Sequence, residues 1–273
     1  MLASFVLSLR EGLEAALIIG IVFGALQKMK RTELKPVVWS GAALAGLVSL
    51  LVALALNWLG MEFEGTGEQI FEGVAMLSAA GILTWMLFWM RRQGGSLKGK
   101  IEAKTGAALV ENGQRALFML AFLAVVREGI ELALFLLAAR LTSTPLQTIG
   151  GAVLGLAGAA LLGWALVAST RRLNLKEFFK VTNVLLILFA AGLVALGVHE
   201  FNEAGLIPAV IEHVWDVSHL LNDEVGFGAV LRALFGFSSA PSLTMVIGYV
   251  SYFAVIVFSL VRLQQPALAV RQG

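Results

Sequence analysis

Seven stretches of this chain are apolar over a length that matches a lipid bilayer, and nothing else in the sequence constrains the fold as tightly. They cover roughly 2–27, 36–59, 68–90, 115–139, 146–170, 179–200 and 243–263. A helix needs about 20 apolar residues to cross ~30 Å of hydrocarbon. Inside lipid the backbone must satisfy its own hydrogen bonds, so such runs predict helices. Charged residues make up 14% of the chain and hydrophobic residues 59%, against about 25% charged in an average soluble domain. The expected fold class is therefore an all-α integral membrane protein with seven transmembrane helices. The first run lacks a basic start and a small-residue cleavage site, and it holds charges in its middle. It is expected to be a retained helix rather than a cleaved signal peptide.

The basic residues predict a direction. Lys28, Lys30, Arg31 and Lys35 follow the first run. Arg91, Arg92, Lys98, Lys100, Lys104 and Arg115 follow the third, and Arg171, Arg172, Lys176 and Lys180 follow the fifth; the tail adds Arg262 and Arg271. The alternate links hold only Arg140 and Arg232. The positive-inside rule puts the first group in the cytoplasm, giving N-out, C-in. The outer links then carry Glu62, Glu64, Glu203, Glu212, Asp216, Asp223 and Glu224. An acidic outer face concentrates cations, although plain solvation of loops explains it equally well. A net charge of only +2, gathered at helix ends, argues for membrane orientation and against a nucleic-acid partner.

The chain also repeats. Arg10-Glu11-Gly12-Leu13-Glu14 in the first run recurs as Arg127-Glu128-Gly129-Ile130-Glu131 in the fourth. Ser40-Gly41-Ala42-Ala43-Leu44 matches Gly150-Gly151-Ala152-Val153-Leu154, and Ala79-Ala80-Gly81 matches Ala190-Ala191-Gly192. Three spans per repeat is an odd number, so the halves must point in opposite directions, as transporter repeats do. The expected organisation is one permease domain over 1–273. Repeat one covers about 1–92 and repeat two about 115–202. An outer link follows at about 203–241, then helix seven at about 243–263. Small residues four apart, such as Gly151 and Gly155, predict close helix contacts.

The doubled pentapeptide carries the chemistry. A charge at the bilayer centre costs at least ~2.5–3.5 kcal/mol on the lenient insertion scale, so these side chains must face each other, another helix or water. Residues three and four apart share a helix face. Glu11 and Glu14 therefore lie together with Arg10, as do Glu128 and Glu131 with Arg127. If the first and fourth spans pack across a pseudo-two-fold, four carboxylates converge with two arginines. Gly12 and Gly129 would let the backbones approach. Oxygen donors suit a hard cation, and helix-borne glutamates are one way that bundles hold iron. With no cysteine and three histidines, softer metals lack their preferred ligands. The arginines would offset the negative charge of the empty site until a cation displaced them. A plain structural role, locking helices together, is the competing reading.

Other polar residues suggest an outer access path. Glu68 and Glu72 lie four apart at the outer end of the third run. His199, Glu200 and Glu203 end the sixth. Asp216, His219 and Asp223 share one face of an amphipathic helix expected to begin after Pro208, with Trp215 as an interfacial anchor. Asn183 lies near the inner end of the sixth run, where it could line an exit. The 91–114 link, with Gly94, Gly95 and Gly99, reads as flexible.

Three alternatives stay open on the residues alone. The same architecture could carry Fe²⁺ or another hard divalent cation. It could bind iron as a sensor or receptor without moving it. It could also be an intramembrane enzyme with paired carboxylates, although no Ser/His or Asp/Asp arrangement sits at depth.

The paired motif resembles the signature of the oxidase-dependent iron permease family, which includes bacterial EfeU-type permeases and the yeast high-affinity ferric permease. Phe71-Glu72-Gly73, Val198-His199-Glu200-Phe201-Asn202-Glu203-Ala204-Gly205 and Val214-Trp215-Asp216-Val217-Ser218-His219 are similar to it too. The resemblance implies a high-affinity permease, not an enzyme, in a bacterial inner membrane. It implies ferric iron as substrate and no tightly bound cofactor. Passage is then expected to depend on Glu11, Glu14, Glu128 and Glu131. It further implies a periplasmic iron-binding protein and a haem peroxidase or ferroxidase as partners.

Overall fold

A computed structural model describes residues 1–61, 64–93, 97–111, 113–168, 175–223 and 226–269. Glu62, Gly94, Gly95, Arg171, Arg172, Glu224 and Arg271 lie outside the described residues. Among the described residues the regular structure is helical, with no strand. The helices are α1 (Leu2–Lys28), α2 (Lys35–Met61), α3 (Thr66–Gln93), α4 (Leu97–Glu111), α5 (Gln114–Leu141), α6 (Pro145–Ala168), α7 (Leu175–Glu203), α8 (Gly226–Phe235) and α9 (Leu243–Ala269).

Over the described residues, each apolar run falls within one long helix. Five of them, α2, α3, α6, α7 and α9, are long and apolar enough to cross a membrane. The other two, α1 and α5, are the helices that carry the charged motif. Their lipid-facing surfaces explain the composition. Trp39 and Trp58, near the two ends of α2, are 60% and 61% exposed, with Leu47, Leu50, Leu51 and Leu54 exposed between them. At ~1.5 Å per residue those indoles stand about 28 Å apart along the helix. That spacing matches the aromatic belts at the two edges of a bilayer. The exposed Leu146, Ile149, Val153, Leu161 and Trp164 of α6, and Ile247, Val250, Val257 and Phe258 of α9, continue the apolar surface. Several such helices make this a multi-pass membrane protein.

The chain divides into two compact units, one of Met1–Phe63 and Ile82–Leu186 and one of Glu64–Gly81 and Ile187–Gly273. In the first unit Ile19, Val22 and Leu26 of α1 pack with Leu34, Val38, Ile101, Leu117 and Ala121. The closest helix contacts fall at glycines. A Cβ on Gly41 of α2 would meet the Phe118 carbonyl, the Ala121 Cβ and the Phe122 amide nitrogen of α5. One on Gly151 of α6 would meet the Met1 carbonyl, the Ser4 Cβ and the Phe5 amide nitrogen of α1. Gly41 and Gly151 are repeat equivalents, and so are the residues they touch. Thus α2 rests on α5 as α6 rests on α1, each helix packing against one from the other repeat.

In the second unit α3 and α7 meet where a Cβ on Gly73 would strike the Phe201 ring and the Gly197 carbonyl. Farther along α7, Gly192 abuts the turn that follows α8, at Gly236. Gly236 has φ +65°, a conformation that glycine adopts without a steric penalty, and a side chain on either partner would collide with backbone.

Two expectations fail. The 91–114 link is not a flexible connector over its described length, because 97–111 forms α4. Ile101, Thr105 and Ala108 are buried along one face of it, and Glu102 pairs with Lys28 at 2.8 Å. Among the described residues 208–223, the amphipathic helix expected over 208–224 is absent. Those residues bond outward instead of along a helix: Val214 N–H donates to Pro241 O, Val217 N–H to Ser239 O, and Ile211 O accepts from Leu243 N–H. The amphipathic helix of this region is α8, which begins at Gly226.

Candidate metal centre

Each half of the centre is a helical turn with its own internal ion pairs. On α1, Arg10 is fully buried and pairs forward along the helix. Its Nη1 pairs with Glu11 Oε1, and its Nη2 lies 2.9 Å from Glu14 Oε1. On α5, Arg127 Nε donates to Glu131 Oε1 at 2.9 Å. Arg10–Glu14 and Arg127–Glu131 are the i,i+4 pairings that helical geometry offers. Glu11, Glu128 and Glu131 are buried, and Glu14 is partly buried.

The α1–α5 approach brings carboxylates from both helices together. One oxygen each from Glu11, Glu128 and Glu131 lies within 4.8 Å of the other two. Glu14 is not part of this triple and stays with Arg10. The Oε2 atoms of Glu11, Glu128 and Glu131 are buried without a hydrogen-bond partner. Leaving buried carboxylate oxygens unsatisfied is costly. A cation held among them would satisfy all three.

The motif glycines explain how the helices come so close, but their contacts are not with each other. A Cβ on Gly12 would sit 2.7 Å from Ala159 Cβ and 3.2 Å from Leu156 Cδ2, both on α6. A Cβ on Gly129 would land on the side chain of Ser49 in α2. Ala159 and Ser49 are themselves repeat equivalents. The glycines were expected to ease approach between the first and fourth spans; they instead seat α1 on α6 and α5 on α2. A cavity of about 290 Å³ opens beside the centre, with Glu11 and Glu128 as its acidic members and Ser49, Leu50, Val125 and Leu156 in its wall.

The residues expected along an outer access path lie in the second unit. Glu68 is exposed and Glu72 half-buried. Glu200 has Glu72, Glu203 and Glu68 among its charged neighbours, with Arg232 the nearby cation. His199 Nε2 is 4.0 Å from Glu203 Oε1. Asp216 is exposed in an irregular segment, so it no longer shares a helix face with His219 and Asp223. Its Oδ1 accepts hydrogen bonds from the Ser218 hydroxyl at 2.6 Å and the Ser218 amide at 2.9 Å. Those bonds hold its carboxyl below the usual carboxylate range. Asp223 serves structure, accepting from Ser239 and pairing with Arg232 at 3.6 Å. Asn183 Oδ1 is buried without a partner in the first unit.

Three neighbours of the motif escaped the sequence reading. Met86 Sδ lies 3.6 Å from Arg10 Nη1. The Arg127 guanidinium lies over Trp89, 4.3 Å from the ring centroid, with Trp85 at 6.0 Å. All three belong to α3. Two tryptophans four apart, with Trp89 closing the third apolar span, were the available signal.

No solved structure matches this chain. Relatives of known designation do. The chain is 38% identical over 264 residues to the ferrous iron permease EfeU of Shigella sonnei (strain Ss046), covering 95% of this chain and 96% of that protein. It is 36% identical over 264 residues to the ferrous iron permease EfeU of Yersinia pestis, covering 95% and 94%. These relatives are transporters and not enzymes. The model of the iron permease FTR1 family matches residues 1–272. Nearly the whole chain is thereby accounted for, and the protein belongs to the iron permease FTR1 family.

Proposed function

We propose that this protein moves iron inward across the membrane through a site shared by α1 and α5. The observation that carries the reading is the meeting of one oxygen each from Glu11, Glu128 and Glu131 within 4.8 Å, together with a buried, unsatisfied Oε2 on each of the three. Glu14 completes the set as Arg10's partner, and the two arginines hold the site's charge until the ion arrives. The proposed frame is seven spans, N-out and C-in, built from two inverted repeats. The paired contacts of Gly41 with α5 and Gly151 with α6's partner α1 support that symmetry.

An all-oxygen set favours a hard ion, and Fe³⁺ is the hardest form of iron available. A periplasmic iron-binding protein and an iron-oxidising partner would then supply it. A second reading is uptake of Fe²⁺, favoured by the designation of the relatives as ferrous iron permeases. The inward-negative potential assists either, by ~2.3 kcal/mol per charge per 100 mV.

Reconstituted vesicles test both. Radio-iron is expected to accumulate with the wild type and to fall at least about tenfold in E11Q, E128Q and E131Q. Saturable binding without accumulation would instead make the protein a receptor. Presenting iron as ferric citrate, or as Fe²⁺ kept reduced by ascorbate, separates the two ions.

A further inference from the structure

The two motif arginines have the same sequence neighbours and different surroundings. Arg10 has no exposed surface, pairs with both Glu11 and Glu14, and has the Met86 thioether of α3 at 3.6 Å. Arg127 is 35% exposed and pairs with one carboxylate, Glu131. Its guanidinium already lies 4.3 Å from the centre of the Trp89 ring. Trp85 stands beside it, its ring 6.0 Å from the same guanidinium and 6.4 Å from that of Trp89, stacked at 28°. Glu131 is also one of the three carboxylates whose oxygens converge.

A cation bound at the unsatisfied Oε2 of Glu131 shares the carboxylate that holds Arg127 and repels the guanidinium on its Oε1. In a low-dielectric interior, an arginine that loses its carboxylate needs another partner or becomes a stranded charge. A thioether is a weak acceptor, so Met86 offers Arg10 no comparable seat. A tryptophan face is the best aromatic partner for a cation, and the attraction grows when water is excluded. Resting on the reading of this site as the iron site, we infer that Trp89, flanked by Trp85, is a platform onto which Arg127 withdraws when iron takes Glu131. Arg10 stays in place and holds the α1 half rigid. The site is thus asymmetric: one arginine is a fixed brace and the other yields. Trp89 is a positioning residue, acting on the ion through Arg127.

Equilibrium dialysis of the detergent-purified protein against radio-iron citrate tests this, using Trp89→Tyr, Trp89→Phe and Trp89→Leu in the wild-type and Arg127→Gln backgrounds. With Arg127 present, Kd should rise through the series, reaching about three- to tenfold in W89L. Tyrosine and phenylalanine should rescue part of that loss. In the R127Q background the same series should change Kd less than about twofold, because no guanidinium remains to be held. Equal Kd across the series with Arg127 present would overturn the platform. So would an effect of the same size in both backgrounds, which is what simple packing predicts. If W89L does not insert, the Tyr and Phe variants carry the comparison. Failure of the wild type to bind iron overturns the site reading and the platform together; a flat series in a protein that binds iron overturns the platform alone.

Discussion

Gly129 of α5 faces Ser49 of α2 so closely that any side chain on the glycine would occupy the place of the serine. Ser49 cannot swing away cheaply, since its hydroxyl is bonded to the Ala45 carbonyl at 2.8 Å. Overpacking a tight contact costs about 1–3 kcal/mol. G129A should therefore lower the thermal midpoint in detergent and reduce iron uptake by prising α5 from α2. The double variant G129A/S49G should recover much of both. No recovery in the double variant would mean that the glycine matters for some reason other than this contact.

Arg10 and Arg127 should differ as much in stability as in surroundings. Removing one partner of a buried ion pair costs about 3–5 kcal/mol, because the other charge is left uncompensated. R10Q leaves Glu11 and Glu14 buried without their common partner, so its folding should suffer strongly. R127Q removes one pair from a side chain already 35% exposed, and its loss should be clearly smaller. Denaturation of the two variants side by side checks the order. Equal losses would count against treating Arg10 as the fixed brace.

Glu14 separates a three-carboxylate site from a four-carboxylate one. Its oxygen sits 2.9 Å from Arg10 Nη2 and is not among the three that converge. If the ion is held by the triple, E11Q, E128Q and E131Q should each weaken iron binding at least about tenfold, while E14Q stays within about threefold of wild type. A tenfold loss in E14Q as well would favour a site in which Glu14 leaves Arg10 to ligate the ion.

These residues also mark how far the sequence could be read. Helix positions followed from apolar length, because a bilayer admits few alternatives. The motif's burial followed from the cost of charge in lipid. Which helix each glycine touches did not follow, since Gly12 and Gly129 advertise a close approach without naming the partner; α6 and α2 emerge only in three dimensions. α4 was hidden because Gly99 and Gly106 interrupt a segment whose buried stripe rests on only Ile101, Thr105 and Ala108. The outer link misled in the opposite sense. A helical period runs through Asp216, His219 and Asp223, yet backbone bonds to 239–243 take the chain elsewhere. Most of all, two identical pentapeptide patterns concealed two different arginines, because Met86, Trp85 and Trp89 come from a third helix.

Asn202 should prove to be the clasp of that outer link. Its Oδ1 accepts from the Ser242 hydroxyl at 2.8 Å and the Thr244 hydroxyl at 3.1 Å, and its Nδ2 donates to Ile207 O at 2.9 Å. One side chain at the end of α7 thus fixes the start of the link and the start of α9. Each partly buried hydrogen bond contributes about 0.5–1.5 kcal/mol, and orphaning a partner costs more. N202L keeps the volume and removes all three bonds, which should loosen 205–243 without touching α1 or α5. Hydrogen exchange should rise at Leu206, Ile207 and Leu243, while iron binding to the detergent-solubilised protein stays near wild type. Loss of binding in N202L with the glutamates intact would show that the link helps to hold the ion's site, not only the outer end of the protein.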